Sequence, residues 1–276
     1  MAKGPRRRDS WTLLALAWMA LLLVAALFAP WLPLADPAND ADYAQLSALP
    51  SAAHWLGTDD VGRDILARVV WGARISLAVG LSAVAIGLTI GGALGLCAGY
   101  FRGRFEQVVL WALDVVLSFP PLVLAMTISA LLGPSLTNVT LAIGFISIPA
   151  FARVTRAATL SLAGREFVLA AQSLGASHAD VLLRELLPNV LLAVATYGLT
   201  HIAVSIATEG GLAFLGLSVP PPAASWGALI AQGRPVLAEA PHVALLPALV
   251  LFATVLALNL LGDAARARFD TRGASL

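Results

Sequence analysis

The stretch Glu166–Asn189 reads EFVLAAQSLGASHADVLLRELLPN, and it is a charged, helix-forming segment set between long apolar runs. Apolar residues recur at helical spacing in both of its halves. Gly175 separates the halves at a point where a helix can end and the chain can turn. Pro188 either ends the second half or opens the next helix at its first turn. The pattern predicts two short helices hinged at Gly175 outside the bilayer, with an ordinary loop between two membrane spans as the alternative.

The composition of the whole chain is that of a membrane protein. Of 276 residues, 59% are hydrophobic and 12% are charged, and the mean hydropathy is +0.85. The formal net charge of +1 gives no large basic face for nucleic acid. The single cysteine, Cys97, excludes an internal disulfide. The single lysine, Lys3, lies at the N-terminus, so the chain has no G-x-x-x-x-G-K-[ST] loop and is predicted not to be a P-loop ATPase by itself.

Six apolar segments are predicted to cross the membrane. The first is too long for the apolar region of a cleaved signal peptide, which spans about 7–15 residues, and fits the roughly 20 residues of a span. Prolines interrupt the third segment at Pro120 and Pro121 and the fourth at Pro149, which is tolerated where neighbouring helices or water satisfy the freed backbone groups. The predicted spans are residues 11–34, 75–101, 108–132, 136–152, 190–208 and 243–262.

Charge asymmetry predicts the orientation of these spans. Six spans place both termini on one side, together with the Glu166–Asn189 segment. Thirteen of the 17 Lys and Arg residues fall on that side and four on the other. Because cytoplasmic loops carry an excess of Lys and Arg, this side is predicted to be cytoplasmic.

The first outer segment is polar from Ala35 to Trp71, with apolar residues at helical spacing from Val61 to Val70. Thr58 or Asp59 could cap a helix there. The pattern predicts a short amphipathic helix on the membrane surface, or a solvated loop helix with no partner. We divide the chain at this point. Residues 1–74 hold the first span and the outer segment with its interfacial helix, and residues 75–276 hold a five-helix core with a coupling loop at 153–189.

A row of glycines marks the second predicted span. Gly87, Gly91, Gly95 and Gly99 recur every fourth residue. Glycines at that spacing form a flat helix face that another helix backbone can approach closely in lipid. The row predicts tight helix packing and carries no chemistry.

Few residues could carry catalysis or bind a metal. The four histidines fall in separate segments without an H-E-x-x-H motif, and no G-x-S-x-G motif occurs. Neither an enzyme nor a cofactor is therefore predicted. Within or near the spans, Asp114, His201 and Glu209 are the candidates for a polar path. Because a charge at the bilayer centre costs about 2.5–3.5 kcal/mol, each acid is expected to face protein or water, either along a path or at a helix end.

Several motifs, taken in order, carry a family resemblance. Residues 57–64 fit G-T-D-x-x-G-R-D, and Asp114 with Ser118-Phe119-Pro120 fits D-x-x-x-(A/S)-F-P. Thr208-Glu209, Leu215-Gly216-Leu217 and Ser225-Trp226-Gly227 fit T-E…L-G-L…S-W-G. The chain resembles the permease subunit of ATP-binding-cassette (ABC) importers of the dipeptide, oligopeptide and nickel group, in its second-permease branch, over nearly its whole length.

The segment from Glu166 also resembles this family's E-A-A-x-x-x-G…L-P loop, which docks a short coupling helix onto the ATPase subunit. Leu169 stands where the family usually has Glu, and we hypothesise that Arg165 and Glu166 replace that interaction. The candidate translocation path comprises Asp114, Phe119, Pro120 and Glu209 from these motifs, with His201 added because it lies within the fifth span. The resemblance implies ATPase-coupling roles for Glu166, Ala170, Ala171, Gly175, Ala176, Ser177, His178 and Pro188.

The resemblance implies an all-α polytopic membrane protein with the type I ABC importer permease fold, in the bacterial inner membrane with both termini cytoplasmic. The implied partners are a second homologous permease, two ATPase subunits that hydrolyse ATP, an extracytoplasmic substrate-binding protein and the lipid bilayer. Peptides are the favoured cargo, and nickel chelates or haem-like molecules are the alternatives. An ion-coupled secondary transporter, the alternative from another class, would need acids aligned across spans, and only Asp114 and Glu209 are available.

Overall fold

A computed structural model of the chain describes residues 6–34 and 39–273, so that Lys3 and residues 35–38 of the outer segment lie outside the described residues. Five helices in the described part are long and apolar enough to cross a membrane, and one bent pair makes a sixth span. The predicted all-α membrane fold with six spans is confirmed. The helices are α1 (Arg6–Phe28), α2 (Ile65–Phe101), α3 (Gly103–Leu117), α4 (Pro121–Leu132), α5 (Leu136–Leu162), α6 (Glu166–Ser173), α7 (His178–Phe214), α8 (Trp226–Gly233) and α9 (His242–Gly273).

Helix α2 begins at Ile65, well before the start of the predicted second span. Its N-cap is Asp64, whose Oδ1 accepts a hydrogen bond from a backbone N–H of the first turn at 2.8 Å. The separate surface helix predicted at residues 61–70, with Thr58 or Asp59 as its cap, is therefore wrong. The apolar residues of this stretch pack against protein: Ile65 is 2% exposed, and with Val69 it belongs to a buried apolar cluster that includes Leu229 of α8 and Val243 of α9. The proposed division at residue 74 falls inside α2.

The third span is broken. Helices α3 and α4 meet at an angle of 79° across Ser118–Pro120. Pro121 opens α4 in its first turn, where the N–H that proline lacks would have no partner in the helix. The fourth span is longer than predicted, because α5 continues beyond residue 152 to Leu162.

The segment from Glu166 forms one short helix, α6, and the beginning of a long one. The chain turns at Gly175, whose φ is +86°. Helix α7 then begins at His178 and continues to Phe214, with a π-helical stretch at Val181–Leu186. The prediction that the second short helix is separate is wrong, because the π-helical stretch joins it to the α-helical part Leu187–Phe214, whereas the predicted place of Pro188 in the first turn of that part is confirmed. The wider π-helical turn lets a proline ring fit within a continuous helix.

The two ends of the bundle carry different structures. One end holds the start of α1, the turn between α2 and α3, helix α6 and the end of α9. The opposite end holds residues 39–64, the turn at 133–135 and helix α8. Residues 39–64 are tied to the start of α9, where His242 Nε2 lies 3.1 Å from the Ala48 carbonyl oxygen.

Helices α2 and α5 pack along the glycine row. A Cβ atom on Gly91 would lie 2.4 Å from the Ile148 carbonyl oxygen, and one on Gly95 would lie 2.3 Å from the Ala152 carbonyl oxygen. The corresponding atoms on Gly87 and Gly99 would lie 2.6 Å and 2.7 Å from the side chains of Phe151 and Thr159. Real Cβ atoms do not approach other atoms so closely, so all four positions require glycine for this helix contact.

Candidate coupling loop and translocation path

Helix α6 has one buried anchor and an exposed outer surface. Val168 is fully buried in the main apolar cluster, together with Val181 and Leu186 of α7. By contrast, Leu169 is 51% exposed, and Leu174, which follows the helix, is 89% exposed. Val168 therefore fixes α6 to the bundle, while two leucines face outward beside polar residues.

The other predicted coupling residues lie along this surface and the turn. Glu166 and Ala170 are exposed, and Ala171 and Ala176 are half-buried. Their exposure, together with the exposed Ser177 and His178, leaves one continuous stretch of α6 and its turn accessible to a partner.

Local hydrogen bonds set the path of the chain from the turn into α7. Ser177 is the N-cap of α7, and its Oγ accepts a hydrogen bond from the Asp180 backbone N–H at 3.2 Å. Asp180 in turn pairs with Arg184 at 3.2 Å. These contacts fix the direction in which α7 leaves the loop.

A cluster of three residues that no sequence motif predicts connects this loop to α2. The Tyr100 hydroxyl oxygen lies 2.8 Å from His178 Nδ1 and accepts a hydrogen bond from Gln172 Nε2 at 3.3 Å. The His178 ring also makes edge contacts with Tyr100 and Phe101, at centroid distances of 5.6 Å and 5.7 Å. Since Tyr100 and His178 are 78 residues apart, spacing in the sequence gives no signal for this cluster.

Two ion pairs join α3 to α5. Asp114 accepts a hydrogen bond from Arg153 at 2.5 Å, and the side chains are 59% and 53% exposed. Glu106 accepts from Arg156 Nε at 2.6 Å in a more buried pair. Asp114 is therefore paired with Arg153, one of the cations counted on the predicted cytoplasmic side.

The break between α3 and α4 contains Phe119 and Pro120. Both are exposed in the single chain, with Phe119 at 53%. Pro120 provides the N-cap position of α4 and makes no side-chain capping hydrogen bond.

His201 lies within α7 and faces α5. Its Nε2 lies 2.9 Å from the Ser147 hydroxyl oxygen, and its ring contacts Phe151 edge-on at 5.0 Å. Tyr197, one turn earlier, places its hydroxyl 3.3 Å from His201 Nδ1. The imidazole is half-buried in a polar contact between two spans.

Glu209 of α7 is fully buried, and its partners lie in the segment between α7 and α8. Its Oε1 accepts hydrogen bonds from the Ser218 hydroxyl at 2.6 Å and the Ser225 hydroxyl at 2.7 Å. Ser225 is also the N-cap of α8. The next residue, Trp226, donates its indole N–H to the Val69 carbonyl of α2 at 3.0 Å. Glu209 thus anchors the outer segment before α8 to α7.

A buried charge cluster lies at the same end of the bundle. Asp59 is 2% exposed and accepts hydrogen bonds from Arg63 Nε, at 2.8 Å, and from Arg68. Arg68 has no exposed surface. The G-T-D-x-x-G-R-D motif includes Asp59 and Arg63, but the sequence pattern gave no sign that Arg68 would be buried beside them.

The predicted path residues do not form one cluster. Asp114, His201 and Glu209 have different partners and lie at different depths of the bundle. Among the described residues, no group of three or more His, Cys, Asp and Glu side chains is placed to hold a metal ion. The arrangement is one of isolated polar contacts between spans.

A bent span, polar contacts between spans and an exposed short helix joining two long ones at one end define a multi-pass membrane permease. Residues 91–274 match the family described as binding-protein-dependent transport system inner membrane component, and the chain belongs to this family. It is the permease subunit of an ABC importer, an inner membrane protein and a transport component rather than an enzyme, as the sequence predicted.

Curated relatives and solved structures agree with this assignment. The glutathione transport system permease protein GsiD of Escherichia coli O6:K15:H31 is 43% identical over 266 residues, covering 96% of this chain and 88% of the relative. GsiD of Pectobacterium atrosepticum is 41% identical over 255 residues, covering 92% of this chain and 85% of the relative.

Two solved structures share the fold. The MetNI methionine ABC transporter in inward-facing conformations matches with a TM-score of 0.61 at 18% identity, covering 72% of this chain and 95% of that chain. An amino acid ABC transporter with histidines matches with a TM-score of 0.56 at 19% identity, covering 73% and 94%. These matches and the family assignment confirm the predicted type I importer permease fold.

Proposed function

We propose that this chain pairs with a second homologous permease to form the path by which an ATP-driven importer takes up small peptides. The relatives at 43% and 41% identity are glutathione permeases, and glutathione is a peptide-like molecule. An extracytoplasmic binding protein delivers the substrate at the end that carries residues 39–64 and α8. Two ATPase subunits bind at the end that carries α6.

The observation that carries the proposal is the exposed surface of α6 and its turn. Leu169 on α6 and Leu174 just after it are exposed, and Val168 fixes the helix to the bundle. An exposed apolar surface beside polar residues on a rigid support is typical of a protein interface. This surface contacts the ATPase. The proposed contact residues are Glu166, Ala170, Ala171, Gly175, Ala176, Ser177, His178 and Pro188.

The departure at Leu169 gives the contact a particular chemistry. Leu169 supplies an apolar side chain where the family usually has an acid, and Glu166, one turn earlier, supplies the charge. Glu166→Ala is expected to weaken association with the ATPase in a purified complex. If the Glu166→Ala complex keeps its ATPase subunits and transports at the wild-type rate, Glu166 does not have this role.

Because of the chain connectivity, a movement of α6 is passed on to the helices on either side of it. Helix α6 lies between α5 and α7, and short turns join it to both. When the ATPase subunits close on ATP, α6 moves and takes the adjoining ends of α5 and α7 with it. The row of glycines from Gly87 to Gly99, the glycine face of α2, packs closely on α5, so α2 moves together with α5. ATP shifts the equilibrium between outward-open and inward-open states because the ATPase contacts differ in the two states.

The path lies along the bent spans and the polar contacts between them. Phe119 and Pro120, at the break between α3 and α4, flank it. His201 and Asp114 supply polar contacts along it, and Glu209 holds the outer segment that closes it. In many membrane transporters, discontinuous transmembrane helices form the substrate site.

The orientation follows from the same scheme. The end with α6 faces the cytoplasm, as do both termini. A cysteine introduced at Leu174, in a chain with Cys97→Ser, should resist a membrane-impermeant maleimide applied to intact cells and react after the membrane is opened. Reaction in intact cells would reverse the orientation.

Uptake by the reconstituted complex tests the proposal. The two permeases, the ATPases and the binding protein are placed in vesicles and supplied with labelled glutathione, dipeptides, a nickel chelate or haem. We expect uptake of a peptide that requires ATP. Uptake of only nickel chelate or haem would change the substrate class, and uptake driven by a proton or sodium gradient without ATP would overturn the proposed energy source.

A further inference from the structure

The cluster of Tyr100, Gln172 and His178 joins three elements that the backbone alone does not hold together. Tyr100 is at the end of α2, Gln172 is in the last turn of α6, and His178 is the first residue of α7. The turns at 163–165 and 174–177 join α6 to α5 and to α7, and neither of them reaches α2. Among the side-chain hydrogen bonds of the described residues, those of Tyr100 are the ones that tie α6 to α2.

The donor and acceptor roles form a directed chain. Gln172 donates to the Tyr100 oxygen at 3.3 Å. A tyrosine oxygen can accept one hydrogen bond while its own O–H donates another. The Tyr100 O–H can therefore donate to His178 Nδ1, which lies 2.8 Å away and accepts when the imidazole is neutral. One hydroxyl group thus links the end of α6 to the start of α7 through α2.

Ring contacts keep this hydroxyl in place. The Tyr100 and Phe101 rings both meet the His178 ring edge-on, and Phe101 meets Phe105 of α3 at a centroid distance of 6.2 Å. Replacing Tyr100 with phenylalanine would keep these contacts and remove only the hydrogen bonds. The chain thus offers a way to separate the bonds from the packing.

We infer that Tyr100 is a positioning residue, which transmits movement of α6 to α2 and so couples the ATPase cycle to the path. The inference rests on the proposed contact between α6 and the ATPase. The glycine face of α2 also packs against α5. The hydrogen bonds of Tyr100 therefore make α2, α5 and α7 move together with α6. Val168 already packs α6 into the apolar cluster that contains Leu96 of α2, and the bonds of Tyr100 add a directional contact to that packing.

The test is the amount of substrate transported per ATP hydrolysed in the reconstituted complex. For Tyr100→Phe we expect this ratio to fall by about two- to tenfold, which corresponds to the loss of one or two hydrogen bonds from a two-state equilibrium. ATPase subunits should still co-purify with the variant. The matched control is Thr89→Val, which removes an exposed hydroxyl elsewhere on α2 that bonds to Ala85 and Ile86 of its own helix, and it should leave the ratio unchanged.

A double variant separates this role from a general effect on folding. Gln172→Ala should lower the ratio as well, and Tyr100→Phe with Gln172→Ala should be no worse than the poorer single variant, because the two side chains act through one bond. A ratio equal to wild type in Tyr100→Phe would overturn the inference, as would loss of the ATPase subunits from that variant. Absence of ATP-dependent uptake in the wild-type complex would instead overturn the proposed function.

Discussion

Replacing Gly95 with alanine tests the close contact between α2 and α5, and Gly92 provides the control on the same helix. A Cβ atom at Gly95 would lie 2.3 Å from the Ala152 carbonyl oxygen and 2.8 Å from Thr155 Cβ. At Gly92 the nearest atoms would be 3.9 Å away. The two variants add the same methyl group three residues apart, once against a backbone carbonyl and once at ordinary van der Waals distance from its neighbours.

The expected magnitude follows from this geometry. Since real Cβ atoms stay at least 3.0 Å from other atoms, Gly95→Ala requires α2 and α5 to separate by about 0.7 Å at that point. A gap of that size removes roughly a quarter to a half of the dispersion attraction of the atoms affected. Overpacking costs about 1–3 kcal/mol, whereas alanine gains up to about 1 kcal/mol over glycine in helix propensity. The two variants should therefore differ in stability by about 2 kcal/mol.

Thermal unfolding in detergent measures this difference. A maleimide dye that becomes fluorescent on reacting with Cys97, the single thiol, reports unfolding of the chain. The midpoint of Gly95→Ala should lie about 4–8 °C below that of Gly92→Ala, and Gly92→Ala should match or exceed wild type. Equal midpoints for the two variants, or an equal fall in both, would refute the account of the glycine face.

Three further predictions concern the buried polar groups and α6. Asp59→Ala leaves the Arg68 guanidinium buried without its carboxylate, so it should lose about 3–5 kcal/mol of stability, measured by the same dye assay; a normal midpoint would contradict this. Glu209→Leu leaves two buried serine hydroxyls without an acceptor and should cost about 1–3 kcal/mol for each, whereas Glu209→Gln keeps an acceptor oxygen and should be milder in the same assay; the reverse order would be inconsistent with the hydrogen bonds described. Leu174→Asp should leave the midpoint unchanged and reduce co-purification of the ATPase, whereas Val168→Asp should lower the midpoint; a destabilised Leu174→Asp would show that this leucine packs within the bundle.

The spans and the family could be read from the sequence because their signals are local. A run of about 20 apolar residues has one stable arrangement in a bilayer, and the excess of Lys and Arg in particular loops requires no knowledge of contacts. The regular glycine spacing likewise predicts a face for close packing. The sequence does not reveal that α5 is the helix packed there, since Ile148 and Ala152 are far from the glycines in the chain.

The errors come from contacts that are distant in sequence. The apolar residues between Val61 and Val70 have the periodicity of a helix on a membrane surface, but the same periodicity results when a helix packs on protein. The burial of Arg68, which a sequence pattern would place in water, depends on Asp59 and the fold of the outer segment. The Tyr100 cluster could not be predicted for the same reason.

The loop shows a limit of reading proline as a helix breaker. Pro188 is predicted to end one helix or to open the next at its first turn; it lies in the first turn of the α-helical part Leu187–Phe214, but that part is continuous with the start of α7. The π-helical stretch at Val181–Leu186 precedes it and lets α7 continue. Nothing in the local sequence distinguishes that outcome from a break.

Photo-cross-linking from position 174 tests most directly whether the ATPase acts through α6. A photoreactive amino acid replaces Leu174 in the complete complex, and the same residue replaces Leu49, which is 73% exposed at the opposite end of the bundle, as the control. The account predicts a covalent product with the ATPase subunit from position 174, in a yield that changes when ATP binds, and none from position 49. Cross-linking to the ATPase from position 49, or to the binding protein from position 174, would contradict it.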